Sequence, residues 1–255
     1  MRILPINIYN KDCSQVQSFR GEKNINTTST LYSSGDEFFN CISSSILKKH
    51  NELAEVIFKT PISPYRAIWA LAKSSDPNVS QALFHKMHTP DELEEMAFDI
   101  SASDFLRDIK VKKLIGLGAY AFAFETEDGK ILKITNGNHF HNKRKPDFFD
   151  IPIIHQGRMC RTYYYLEDKL SQDDLTQEEL KNLVKQIEEK GYILRDVYYS
   201  SRYGEISDKV KPEQFGRAKD GKIYLLDAGC VFPPDKPLID IKSIIGKLKR
   251  LIKLK

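Results

Sequence analysis

Cysteine is scarce in this chain: four residues in 255, Cys13, Cys41, Cys160 and Cys230, with no C-x-x-C pair among them. Such scatter argues against a zinc site or a disulfide framework and fits a reducing compartment. No apolar run is long enough to span a bilayer, and the first residues lack the apolar core of a secretory signal. A large charge of one sign is missing as well. The 39 Lys and Arg against 35 Asp and Glu leave a formal net charge of +4, too mild to indicate nucleic acid. There is no internal repeat. His85 and His88 have no Cys or carboxylate near them in metal-ligand order, so they read as surface histidines. What is left is an ordinary soluble composition, 41% hydrophobic and 29% charged, with length for one large or two small domains.

Within that plain background one stretch stands out. Ile115-Gly116-Leu117-Gly118-Ala119-Tyr120-Ala121-Phe122-Ala123 is followed by a second alternating run, Ile131-Leu132-Lys133-Ile134, after the turn Glu127-Asp128-Gly129. The alternation predicts strands on both sides of a glycine hairpin. Gly116 and Gly118 remove the Cβ atoms that would hold a backbone away from a polyphosphate, and Lys133 on the next strand points a charge at the same place. Ala121 and Ala123 stand where the pattern G-x-G-x-x-G-x-V has its third glycine and its valine.

From here the chain resembles the protein kinase-like superfamily, over roughly residues 107 to 232. Ile151-Pro152-Ile153-Ile154 and Thr162 to Leu170 are similar to the fourth and fifth strands running into the hinge. The resemblance implies that backbone near Glu167 to Lys169 holds the adenine edge of ATP. An amphipathic helix follows from Thr176 to Lys190, with Thr176 and Glu179 as its capping box and Gly191 as its stop. Leu194-Arg195-Asp196 then occupies the place of the H-R-D motif, Lys211-Pro212-Glu213-Gln214 resembles K-P-E-N, and Asp227-Ala228-Gly229 resembles D-F-G. The family's pattern implies an α+β, bilobal fold, here with a reduced C-lobe. It also implies Lys133 on the α- and β-phosphates, and Gln214 with Asp227 on Mg²⁺, or Mn²⁺ in its place.

The departures carry as much information. About a dozen extra residues, Val197 to Val210, separate Asp196 from Lys211, so Asp196 and Asp208 both stand as candidates for the catalytic aspartate. Read without an insertion, the loop places Lys209 at the aspartate's position, which would make the chain a pseudokinase serving as a nucleotide-binding scaffold. A third reading is a kinase-fold enzyme that transfers AMP. No glutamate occurs between Lys133 and Glu167, so the usual partner of the lysine is missing from its usual helix. In its place lies a basic run containing Lys143, Arg144 and Lys145, read as a solvated loop or as a site for a polyanionic activator such as inositol hexakisphosphate.

Organisation along the chain completes the expectation. Residues 1–34 are polar and read as an extended or disordered lead. Residues 35–106 read as an added helical region, with helices over 36–58, 64–73, 79–88 and from the Thr89 cap through Phe98. Residues 107–170 form the kinase-like N-lobe and 171–255 a minimal C-lobe. Residues 241–255 make a basic amphipathic helix suited to packing or to an anionic membrane surface. Cys230, beside the D-A-G motif, reads as a small buried residue. The whole resembles small, diverged bacterial effector kinases of the Legionella type. That likeness implies secretion into a host cytoplasm, a host activating factor, and a protein or small hydroxyl substrate.

Overall fold

The computed structural model of the chain describes residues 41–48, 52–136, 146–200 and 206–232. The polar lead, the basic run Lys143, Arg144 and Lys145, and the helix expected over 241–255 lie outside the described residues. Two compact units emerge, one from the described residues up to 136 together with 152–169, the other from 146–151 and 170–232. Among the described residues no helix is long and apolar enough to cross a membrane.

The first unit is built on a seven-stranded sheet in the order β1-β2-β3-β4-β5-β7-β6, antiparallel at every pairing. Its strands are β1 Ile42–Leu47, β2 Leu53–Ile62, β3 Val111–Leu117, β4 Ala121–Thr126, β5 Ile131–Asn136, β6 Ile153–Met159 and β7 Thr162–Glu167. β3, β4 and β5 form where the alternating pattern predicts them. β1 and β2 correct the sequence reading, which expects a helix over 36–58. Their apolar residues also fit helical spacing, but Ser43-Ser44-Ser45 are poor helix formers and Val56 and Phe58 alternate. Pairing of β2 with β3 buries Val56 and Phe58 completely or nearly so.

Between β2 and β3 the chain makes four helices: α1 Pro64–Ala72, α2 Pro77–His85, α3 Pro90–Ser101 and α4 Asp104–Asp108. Each begins where local chemistry dictates. α1, α2 and α3 carry Pro at their start, where a missing N–H costs nothing. Asp76, Thr89 and Ser103 accept the backbone N–H of Asn78, Glu92 and Leu106. The layer packs on one face of the sheet. Ile68, Leu71, Leu93, Met96 and Ile100 join Phe122, Phe124, Leu132, Ile134, Tyr164 and Leu166 in a single buried cluster.

The second unit has its own core around α5, Gln177–Glu189. The capping box predicted at Thr176 and Glu179 is present, with Thr176 N–H donating to Glu179 Oε2 at 3.1 Å and Glu179 N–H to Thr176 Oγ1 at 3.3 Å. Leu180, Val184 and Ile187 of α5 pack with Phe149, Phe215, Leu225 and Val231. Three short strand pairs complete it: β8 Ile193–Leu194 with β13 Val231–Phe232, β9 Tyr198–Ser200 with β10 Ile206–Val210, and β11 Phe215–Arg217 with β12 Ile223–Leu225. Residues 146–151, ahead of β6, belong here too. Leu225 N–H donates to Phe149 O at 2.9 Å, and Asp147 receives Lys190 at 2.7 Å and Tyr192 at 3.0 Å.

Phe124 is fully buried between sheet and helices, whereas Phe84 on α2 is 83% exposed. Phe124→Ala should therefore lower stability by about 3–5 kcal/mol, read as a fall in the urea midpoint. Phe84→Ala should stay within about 0.5 kcal/mol of the parent.

Candidate functional site

In an antiparallel sheet, residues directly opposite one another point to the same face. The register therefore places Gly116, Ala123, Lys133 and Tyr165 in one row across β3, β4, β5 and β7. Ala121, Thr135 and Tyr163 form the row on one side of it; Glu125, Ile131 and Glu167 form the row on the other. This is the face away from the helices, because Phe122, Phe124, Leu132 and Ile134 occupy the alternate positions and fill the core. Toward the hairpin, Lys133 thus borders a strip with almost no side chains.

The glycines of that strip are not forced by the fold. Neither Gly116 nor Gly118 has a positive φ. A Cβ at Gly116 would meet Ala123 Cβ at 3.4 Å, and one at Gly118 would have Ala121 O as its nearest neighbour at 3.5 Å, both ordinary contacts. What the missing Cβ atoms leave open is the space above the hairpin, as the close approach of a phosphate chain requires. Gly118 N–H donates to Ala121 O at 2.8 Å and closes the turn.

Lys133 Nζ meets Glu167 Oε2 at 2.8 Å, with both side chains largely buried. The lysine's carboxylate partner thus comes from the neighbouring strand, not from a helix. The sequence reading gave Glu167 only a backbone role and missed its side chain. The signal was the β5–β7 pairing itself, which sets Ile131 opposite Glu167 and Lys133 opposite Tyr165. Lys169, also expected near the adenine, sends its Nζ to Glu125 Oε2 at 3.0 Å. Lys112 and Lys113 reach the same carboxylate at 2.9 and 3.3 Å. Burial pushes the Glu125 carboxyl up, but hydrogen bonds and charge from the lysines outweigh it and hold it down at about 2.

His88 corrects the sequence reading. It is buried, not a surface residue, and its Nε2 lies 2.9 Å from Gly118 O while its ring stacks obliquely on Phe122 at 4.8 Å. His85 is exposed, as expected.

The second unit gathers the other candidates. β8 pairs with β13, and Arg195 N–H donates to Cys230 O at 2.8 Å, which brings the Leu194-Arg195-Asp196 turn against the D-A-G turn. Asp196 adopts φ 60°, a left-handed conformation that Asp tolerates better than most residues but that still costs about 1–3 kcal/mol. Its Oδ1 receives Lys211 Nζ at 2.5 Å, and Lys211 N–H donates to Val197 O at 2.8 Å. The extra residues between them leave as the β9–β10 pair, so the chain returns to Asp196 as if they were absent. Asp208 rides out on β10 with its side chain 83% exposed and pairs with Lys181 of α5 at 3.1 Å. It does not join Asp196 and Lys211, and Lys209 beside it is exposed on the same strand. The contact of Lys211 with Asp196 was missed, although its place in the K-P-E-Q run was the available signal.

β11 and β12 do the same for Gln214 and Asp227, the cation ligands expected from the sequence. Phe215 pairs with Leu225, and Leu226 N–H donates to Gln214 O at 2.8 Å, so Gln214 and Asp227 flank the base of one hairpin. Asp227 Oδ1 accepts Gly229 N–H at 2.8 Å, and a Cβ at Gly229 would fall 2.9 Å from that oxygen, which explains the glycine. Cys230 Sγ lies 3.8 Å from Gln214 Oε1. Burial first, then the charges of Asp227 and Asp196, push its thiol up to about 12. It is a small buried residue, as the sequence suggests. Among the described residues no group of three or more His, Cys, Asp or Glu could hold a metal. A carboxylate and an amide oxygen at one hairpin base fit Mg²⁺, a hard cation that takes few protein ligands and completes its shell with phosphate and water.

No family model matches the chain, and no curated protein matches it. Among solved structures it is similar to Rad53 1-466 in complex with AMP-PNP, at 13% identity over 56% of this chain and 44% of that one, with a TM-score of 0.35. It is also similar to monomeric WbdD, at 15% identity over 52% and 37%, with a TM-score of 0.32. The chain spans less than half the length of either. Likeness this slight fixes neither its fold family nor its activity.

The lysine cluster on Glu125 gives a pH prediction. A carboxyl held at about 2 instead of 4.5 contributes stability that is complete above 4.5 and is lost as the pH falls toward 2. Asp147, held down by Lys190, and Glu179, held down by Thr176 and then Arg217, share this acid limb. Glu125→Gln should therefore flatten the loss of urea stability between those pH values in part, and lower stability at neutral pH by leaving three ammonium groups around a neutral amide. An unchanged acid slope would show that the lysines do not bind this carboxylate in solution.

Proposed function

We propose that the chain is an atypical, kinase-fold phosphotransferase that uses ATP and acts on a hydroxyl group of a protein or small molecule. The observation that carries this reading is Lys133, held by Glu167 beside a strip of strand kept free of side chains by Gly116, Ala121 and Ala123. A fixed ammonium next to bare backbone suits a polyphosphate and has no evident use in the fold. Within the second unit, the Asp196–Lys211 pair and the Gln214–Asp227 hairpin have the chemistry that the family resemblance assigns to the rest of phosphoryl transfer, positioning and charge neutralisation.

The residue roles follow from their chemistry. Lys133 neutralises the α- and β-phosphates, and Glu167 fixes its Nζ. Backbone near Glu167 and Lys169 is left to meet the adenine edge, as the family resemblance implies. Gln214 and Asp227 would hold Mg²⁺, or Mn²⁺, which when bound neutralises charge on the phosphate oxygens. Asp196 orients the acceptor hydroxyl and takes its proton as the oxygen bonds to the γ-phosphorus. The bond to the β-phosphate oxygen breaks and ADP leaves with the electron pair. Lys211, fixed on Asp196, sets the direction of that carboxylate.

The test is transfer of label from γ-labelled ATP by the purified chain with Mg²⁺, including self-labelling. Lys133→Ala and Asp227→Ala should each cut turnover by about 10²–10³-fold; Asp227→Ala should leave the urea midpoint in place, whereas Lys133→Ala should also lower it, because it takes an ammonium from the buried Glu167. Asp196→Ala should be comparably severe and Asp208→Ala within about twofold, because Asp208 lies out on β10. The reverse ranking would move the catalytic carboxylate into the inserted hairpin. ATP binding with no transfer from either γ- or α-labelled nucleotide would leave a scaffold, and label from the α-position alone would mean AMP transfer. The narrower reading is an effector acting in a host cytoplasm and switched on by a polyanion at Lys143, Arg144 and Lys145. Adding inositol hexakisphosphate to the same assay tests it, and absence of stimulation would remove it.

A further inference from the structure

His88 lies in the turn between α2 and α3, next to exposed Met87, yet only 1% of its side chain is exposed. A histidine buried this far needs a partner, and the partner is not structural backbone of the helices but Gly118 O at the tip of the glycine hairpin, 2.9 Å from Nε2. A carbonyl only accepts, so Nε2 must carry the proton and donate. The other nitrogen faces Glu92 Oε2 at 3.8 Å, and Glu92 Oε1 accepts from Asn136 Nδ2 at 2.6 Å. Asn136 N–H in turn donates to Tyr120 O at 3.1 Å. Both flanks of the hairpin tip are thereby tied to a single residue of α3: Gly118 through His88, and Tyr120 through Asn136.

Bare glycine backbone is the least stiff part of any strand, and a backbone that must present itself to phosphates gains affinity when its order is already in place. The sheet gives the tip two hydrogen bonds, Gly118 N–H to Ala121 O and Asn136 N–H of β5 to Tyr120 O. The helical layer adds His88 on Gly118 O and Glu92 on the Asn136 side chain. Phe122, whose ring supports His88, is fully buried, so the imidazole stands on rigid core.

We infer that His88 is a positioning residue for nucleotide binding, which pre-orders the phosphate hairpin through Gly118 O with Glu92 as its support. The ligand in this statement rests on the phosphotransferase reading; the ordering of the hairpin does not. Two measurements separate them: calorimetric titration with MgATP, and amide hydrogen exchange of residues 117–121 without nucleotide, on the parent, His88→Leu, His88→Gln and Glu92→Gln. His88→Leu should weaken MgATP about tenfold and speed hairpin exchange, with KM raised more than kcat is lowered. His88→Gln, whose amide can still donate to Gly118 O, should recover most of both. Glu92→Gln, at a partly exposed site that leaves the fold intact, should give a smaller shift in the same direction. It decides the matter if His88→Leu does not fold. Parent-like affinity and exchange in His88→Leu would overturn the inference, and so would equal losses in the Leu and Gln variants, which would mean packing alone. A parent chain that binds no nucleotide would overturn the phosphotransferase reading, while the exchange data would still decide whether His88 orders the hairpin.

Discussion

The placement of Lys133 depends on Leu132 and Ile134. Both are completely buried against the helices, so β5 cannot slip by one residue without driving a lysine into the core and two aliphatic side chains out of it. On β7, Tyr164 and Leu166 impose the same choice, which leaves Tyr165 and Glu167 on the opposite face. The ion pair is therefore a by-product of hydrophobic burial on the other side of the sheet. Because β7, and not β6, lies next to β5, the carboxylate arrives from the adjacent strand, and the absence of a glutamate-bearing helix after Lys133 leaves the lysine with a partner all the same.

A similar economy operates in the second unit, where two hairpin closures do the positioning. β11 and β12 pair so that residues thirteen apart in sequence, Gln214 and Asp227, flank one hairpin base. β9 and β10 let the inserted stretch leave and return, with Val197 and Lys211 closing it. β8 pairing with β13 then sets Asp196 against the D-A-G turn. Strands of two or three residues are weak by themselves; here they are held by α5 and by Phe149, Phe215 and Val231 beneath them.

How much of this was legible in the sequence follows from where the deciding physics is local. β4 alternates and lies between the glycine hairpin and the Glu127-Asp128-Gly129 turn that bound β3 and β5, and α5 carries both its cap and its stop, so those elements could be read from their own residues. β1 and β2 could not, because their apolar positions satisfy helical and strand spacing alike, and pairing with β3 decided between them. The candidate residues were mostly in view, but not their partners. Glu167 faces Lys133 only once β6 has been passed over, and His88 is buried only once α2 and α3 fold back onto the hairpin. That Asp208 stands apart from Asp196 and Lys211 follows from the pairing of β9 with β10, which spacing along the chain does not reveal.

Charge balance ties these features together. Several charges meet a counter-charge within their own unit: Lys133 with Glu167 in the first, Asp196 with Lys211 in the second, and Glu125 with three lysines on the same sheet face as Lys133. A buried ion stripped of its partner costs far more than a pair does, so the buried carboxylates of Glu125 and Glu167 are compensated without waiting for a ligand. On the phosphotransferase reading, a phosphate reaching Lys133 would share the ammonium with Glu167, beside backbone that carries few side chains and is held at Gly118 by His88. Affinity there would depend less on how much charge is offered than on how little has to move.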